Sequence, residues 1–179
     1  ALVDSFNWNS QFEDIPLEEY KPYQNPSVCI AAPVAFYMML KDNLTKEELK
    51  TAEEIMRFCE DQFVMWKAPA RRDYEGAWTP TYQFFAWRTP TVLEQYNWYT
   101  PIDASAAKMI VAYLALYRAG KDPLDLAKAR ALGGAILCQQ QPGGWIRTHW
   151  AWDETPDKIW MNCHVASALA LQELAEFDR

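Results

Sequence analysis

The chain has 179 residues, half of them hydrophobic and 23% charged, which is one domain's worth and enough to bury a core. Its 9 Trp, 9 Tyr and 8 Phe exclude a disordered chain, and no apolar run approaches the roughly 20 residues that cross a bilayer. The net charge of -7 argues against a nucleic-acid partner, which needs clustered Lys and Arg, and with 6 Gly there is neither a GxGxxG nor a Walker loop.

The sequence opens on Ala1 with no charged-then-apolar leader, as expected of a processed protein or a piece of a longer one. Residues 1–30 read as an irregular N-terminal segment, and 31–179 as helices within one domain. The first helix runs from about Ala31 to Lys41, with Pro33 tolerable only in its first turn. The second starts at a capping box, Thr45 with Glu48, and runs to about Met65. Leu49, Ala52, Met56, Cys59 and Phe63 form its apolar face, and Glu47, Lys50, Glu53, Glu54, Arg57 and Glu60 the other. The third runs from about Asp103 to Arg118 and stops at Gly120. The fourth runs from near Pro123 to about Gln140, before Pro142 and Gly143. The fifth runs from about Asn162 to Phe177, and no hairpin of strands is evident.

Helices one, three and five are apolar on nearly every face, so they are expected to be enclosed. Two and four carry a charged face and are expected to lie outside. The order is therefore inner, outer, inner, outer, inner. Inner-to-outer links are short, Asp42 to Leu44 and Ala119 to Asp122, which makes antiparallel neighbours. Outer-to-inner links are long, Lys67 to Pro101 and Pro142 to Met161, and both must emerge at one end of the molecule. The stretch from Val34 to Gln62 also aligns without a gap on a later one, with Arg118 in the place of Lys41 and Gln139 in that of Gln62. Cys29, Cys59, Cys138 and Cys163 are far apart, each in an apolar helical segment. Without a CxxC pair they read as buried thiols rather than zinc ligands.

Repeated inner and outer helices, Ala-rich inner helices and a Q-x-x-x-G-W turn at Gln140, Gly144 and Trp145 resemble the (α/α) toroid of the six-hairpin glycosidase superfamily and its polysaccharide lyase relatives. The resemblance covers Ala31 to Phe177, about two and a half hairpins. It implies an all-α fold of antiparallel helical hairpins that forms part of a toroid. Further hairpins or another subunit would then close the ring. It also implies an oligo- or polysaccharide partner, no cofactor, and a periplasmic or secreted setting.

The long links carry the candidate chemistry. The first, with Trp66 at its start, holds Tyr74, Trp78, Tyr82, Phe84, Phe85, Trp87, Tyr96, Trp98 and Tyr99, and the second Trp145, Trp150, Trp152 and Trp160. Aromatic faces stack on the C–H faces of sugars, although many of these rings can equally cap the core. Substrate-binding candidates are Trp78, Tyr82, Trp87, Trp98, Tyr99, Trp145, Arg147, Trp150, Trp152 and His164. Glycoside hydrolysis needs two carboxyls, one held protonated, about 5–10 Å apart. Asp103, Glu75 and Asp153 are the candidates, with Glu94 and Glu154 as alternates. Helix capping alone accounts for Asp103, and an exposed turn accounts for Asp153. His149 beside Arg147 would suit a lyase, with the arginine neutralising a uronate carboxylate, while His164 also reads as a satisfied half-buried histidine. The leading reading is a glycoside hydrolase-like domain. Its rivals are a lyase and a non-catalytic glycan- or protein-binding module. A terpene-cyclase-like toroid ranks last, because neither DxDD nor DDxxD occurs.

Overall fold

The computed structural model describes residues 28–67, 89–94, 100–101, 103–148 and 159–178. The fold is mostly helical. Helix α1 is Val28–Met39, α2 Lys46–Phe63, α3 Asp103–Gly120, α4 Pro123–Leu137 and α5 Met161–Ala175, followed by a 3-10 turn at Glu176–Asp178. All five helices expected from periodicity are present, with shifted ends.

Pro33 lies inside α1 rather than in its first turn, because the helix begins before Ala31. Helix α2 ends at Phe63, where the chain turns extended and forms a strand. That strand belongs to a small sheet, which corrects the expectation that no hairpin of strands is present. Strand β1 is Val64–Met65, β2 Thr91–Glu94 and β3 Thr100–Pro101, an antiparallel sheet in the order β1-β2-β3. Val64 pairs with Val92, and Leu93 with Pro101. Strands of two and four residues are too short to show a period of two, and β1 and β2 are distant in sequence.

Helix starts follow their caps. Thr45 accepts the Glu48 N–H at 3.2 Å, and the Glu48 carboxylate accepts the Thr45 N–H at 2.9 Å. Lys41 also bonds to Glu48, and this bond, followed by those from Thr45, holds the Glu48 carboxyl down to about 2. Asp122 caps α4 by accepting the Leu124 N–H at 2.9 Å. Thr45→Ala is expected to lower stability by about 1 kcal/mol and Thr45→Ser to restore most of it, as read from urea unfolding. Helix α3 runs to Gly120, the residue at which it is expected to stop. Lys121, at φ 60, takes the left-handed position and donates its N–H to the Tyr117 carbonyl at 2.9 Å.

The gapless alignment places Thr45 opposite Asp122, and both are N-caps. At the same offset Ala35 falls on Ala112, Ala52 on Ala129, Ile55 on Leu132 and Cys59 on Ile136, and every one of these is buried. The match is partial, since exposed Tyr37 falls on buried Leu114 and buried Phe63 on exposed Gln140.

Helix α3 is the most enclosed element, with α1 and α5 packed along it and α4 behind. Met109, Ile110, Tyr113 and Leu114 fill the centre of the core with Phe63, Met56, Leu132 and Ile136. Gly133 lets α4 approach α5, since a Cβ there would lie 2.5 Å from Leu174 Cδ2. The expectation that α1 and α5 are fully enclosed is corrected. Tyr37 on α1 and Met161, Val165 and Leu169 on α5 are exposed, because these helices flank α3 and each has a side that no described element covers. Between α1, α3 and α5 lies an open groove of about 280 Å³, lined by Phe36, Tyr37, Val111 and Leu169 among others. Cys59 and Cys163 are buried as expected. Cys138 is exposed, since it caps the C-terminus of α4 rather than lying within an apolar face.

Candidate functional site

Glycine geometry builds the first part of the site. Gly143 and Gly144 both have positive φ, 92 and 89, which other residues rarely adopt, and they reverse the chain after α4. Gln140 Nε2 donates to the Gly144 carbonyl at 2.9 Å, and the Gln141 N–H donates to the Trp145 carbonyl at 2.7 Å. The Q-x-x-x-G-W sequence is therefore a closed turn that projects Trp145. The Trp145 ring lies 5.0 Å from that of His164, tilted by 44°, and remains 38% exposed. The next residue, Ile146, is buried and donates its N–H to His164 Nδ1 at 3.2 Å. His164, half-buried in the first turn of α5, thus holds the turn from two sides.

Thr148 joins three elements. Its carbonyl accepts the Asp103 N–H at 3.3 Å, and its hydroxyl oxygen accepts the Trp160 N–H at 2.8 Å. Asp103 opens α3 and Trp160 is the N-cap of α5, so the starts of both helices meet the second long link at one fully buried threonine. The first long link reaches the same place. Strand β1 leaves α2, β2 pairs with it, and β3 ends just before Asp103. The described ends of both long links lie at one pole.

The sequence candidates divide accordingly. Asp103, Trp145, Arg147 and His164 come together at this pole. Asp103 is 2% exposed and its Oδ1 accepts Gln139 Nε2 at 3.0 Å, which makes it a buried part of the joint rather than a carboxylate on an open surface. Arg147 is half-buried between Ile146 and Thr148. Trp160, not among the binding candidates, is 47% exposed four residues before His164. Glu75, Asp153, His149, Trp78, Tyr82, Trp87, Trp98, Tyr99, Trp150 and Trp152 lie outside the described residues, as does Glu154. Glu94 ends β2 opposite Thr100.

A second polar cluster was not legible in the sequence. Glu60 Oε2 accepts the Tyr113 hydroxyl at 2.8 Å and Lys128 Nζ at 2.5 Å, while Oε1 accepts Trp66 Nε1 at 3.0 Å. It ties α2, α3 and α4 to the root of the first link. Burial, reinforced by Glu60, raises the Tyr113 hydroxyl well above the usual phenol range. Asp125, one turn before Lys128, is pushed up to about 6 by burial and then by Asp122, against the opposing pull of Lys128. Tyr113 is 1% exposed, so this cluster braces the helices and offers no reacting group to a ligand. The pole is the better site: two exposed indoles, an imidazole with a fixed hydrogen bond, and the roots of both aromatic links. No family model matches the chain, and no curated protein or solved structure matches it.

Proposed function

We propose that the chain is a carbohydrate-active domain of the glycoside hydrolase type, with an aromatic glycan cleft at the pole where the long links are rooted. In this reading α1–α2 and α3–α4 are successive hairpins of an (α/α) toroid-like array, and α5 opens the next. The repeated caps and burial register support that arrangement. The exposed apolar sides of α1 and α5 suit further hairpins or another subunit. The observation that carries the functional reading is the Thr148 joint, which ties the starts of α3 and α5, the described ends of the two long links, to one pole with Trp145 and Trp160. Asp103 is buried and bonded to Gln139, so in this reading the catalytic carboxyls are Glu75 and Asp153, with Glu94 and Glu154 as alternates.

Tryptophan emission titrated with cellohexaose and with hexagalacturonate tests this. One of the two is expected to shift the emission, and Trp145→Ala or Trp160→Ala to weaken that binding about fivefold, the loss of one stacking contact of about 1 kcal/mol. New reducing ends without ultraviolet absorption mark a hydrolase. Unsaturated, absorbing ends mark a lyase working through Arg147 and His149. Binding without turnover marks a non-catalytic module. Silence with both probes removes the carbohydrate reading.

A further inference from the structure

A neutral imidazole carries one proton, on Nδ1 or on Nε2, and a hydrogen bond received at one nitrogen fixes the proton on the other. His164 Nδ1 receives the Ile146 backbone N–H at 3.2 Å. The neutral ring is therefore the Nε2–H form. The backbone donor cannot be shed without opening the turn, because Ile146 is buried and the Gln141–Trp145 bond closes the loop behind it. The Trp145 indole, 5.0 Å away, packs against the ring, and the backbone N–H of His164 donates to the Trp160 carbonyl at 3.1 Å, which fixes the main chain that carries the ring. A donor set by the Nδ1 bond thus stands beside the exposed Trp145 indole.

We propose that His164 is a specificity-determining binding residue that presents Nε2–H to an acceptor oxygen of a saccharide lying against Trp145. This inference rests on the carbohydrate reading given above. An indole face selects for a sugar's C–H face but is indifferent to the arrangement of its hydroxyls. A pre-oriented donor discriminates: a ring with an acceptor oxygen at that point bonds to it, and a deoxy or axially inverted ring leaves the N–H unmet. The polar rim and the stacking platform come from different elements, the α5 start and the post-α4 turn, and the same Nδ1 bond locks them together.

Asparagine and glutamine separate the two nitrogens. Asn at 164 places its carbonyl oxygen near the position of Nδ1 and has nothing at Nε2, whereas Gln reaches the Nε2 position with an amide N–H. Imidazole nitrogen NMR on the full chain reads the tautomer directly, with H149A used to assign the two histidines. The expected result is a protonated Nε2 and an unprotonated Nδ1 in the free protein, with the Nε2 resonance moving on addition of whichever of cellohexaose and hexagalacturonate binds. His164→Asn is expected to melt near the wild type and to bind that probe about tenfold more weakly, and His164→Gln, which keeps a donor near Nε2 but loses the Ile146 bond, to bind better than His164→Asn while melting lower. An Nδ1–H tautomer, an unmoved Nε2 resonance in the bound state, or full affinity in His164→Asn overturns the assignment while leaving the carbohydrate reading in place. A wild type that binds neither probe overturns both.

Discussion

Glu60→Ala is expected to destabilise the protein by about 3 kcal/mol. Three donors from three elements converge on this one carboxylate: Tyr113 of α3, Lys128 of α4 and Trp66 at the root of the first link. Removing it strands a fully buried hydroxyl and a mostly buried ammonium, with Lys128 and Glu60 side chains each only 21% exposed. An abandoned buried partner is penalised far more than the net worth of the bond it made. Tyr113→Phe removes one bond and its donor together and should lower stability by about 1 kcal/mol. Glu60→Gln keeps acceptor capacity without charge and should fall between. Urea unfolding of the three variants and of the Glu60→Ala/Tyr113→Phe double variant measures the coupling, which is expected to be non-additive. A Glu60→Ala variant within about 1 kcal/mol of the wild type would show that the cluster does not brace the helices.

Leu114→Ala should lower stability by about 3–4 kcal/mol, against less than about 0.5 for Leu137→Ala. The substitution is the same, and only the surroundings differ. Leu114 is 0% exposed on the helix that α1, α4 and α5 all pack upon, so truncation leaves a void that rigid neighbours cannot close. Leu137 is 54% exposed at the end of α4. A thermal shift of about 10 °C for the first and almost none for the second is the readout. Equal shifts would mean that α3 is not the central element of the fold.

The contrast explains why helices were legible in the sequence and the joint was not. A helix declares itself by local chemistry. The Thr45–Glu48 box, the Asp122 cap and the spacing of Ala52, Met56, Cys59 and Phe63 all act within a few residues. The Gln140–Gly144–Trp145 turn is local for the same reason, its two left-handed positions being written as glycines. Lys121 shows the limit: Gly120 marked the stop, yet its neighbour took the left-handed position. The strands failed because β1 owes its existence to residues far along the chain. Glu60 looked like one more charge on the outer face of α2, since nothing near it in sequence names Tyr113 or Lys128. Thr148 and Gln139 were silent for that reason too, and Asp103 read correctly as a helix start but not as a group sealed beneath Gln139.

Thr148 has one more effect. The first N–H groups of a helix have no carbonyl of their own helix to reach, and such ends fray readily. Here the amides of Asp103 and Trp160, at the beginnings of α3 and α5, share one residue that belongs to neither. If that residue swings away, both helices lose an anchor in the same instant. The two first turns are therefore coupled through Thr148, and Thr148→Val, which removes the hydroxyl acceptor, is expected to raise amide exchange at the start of α5.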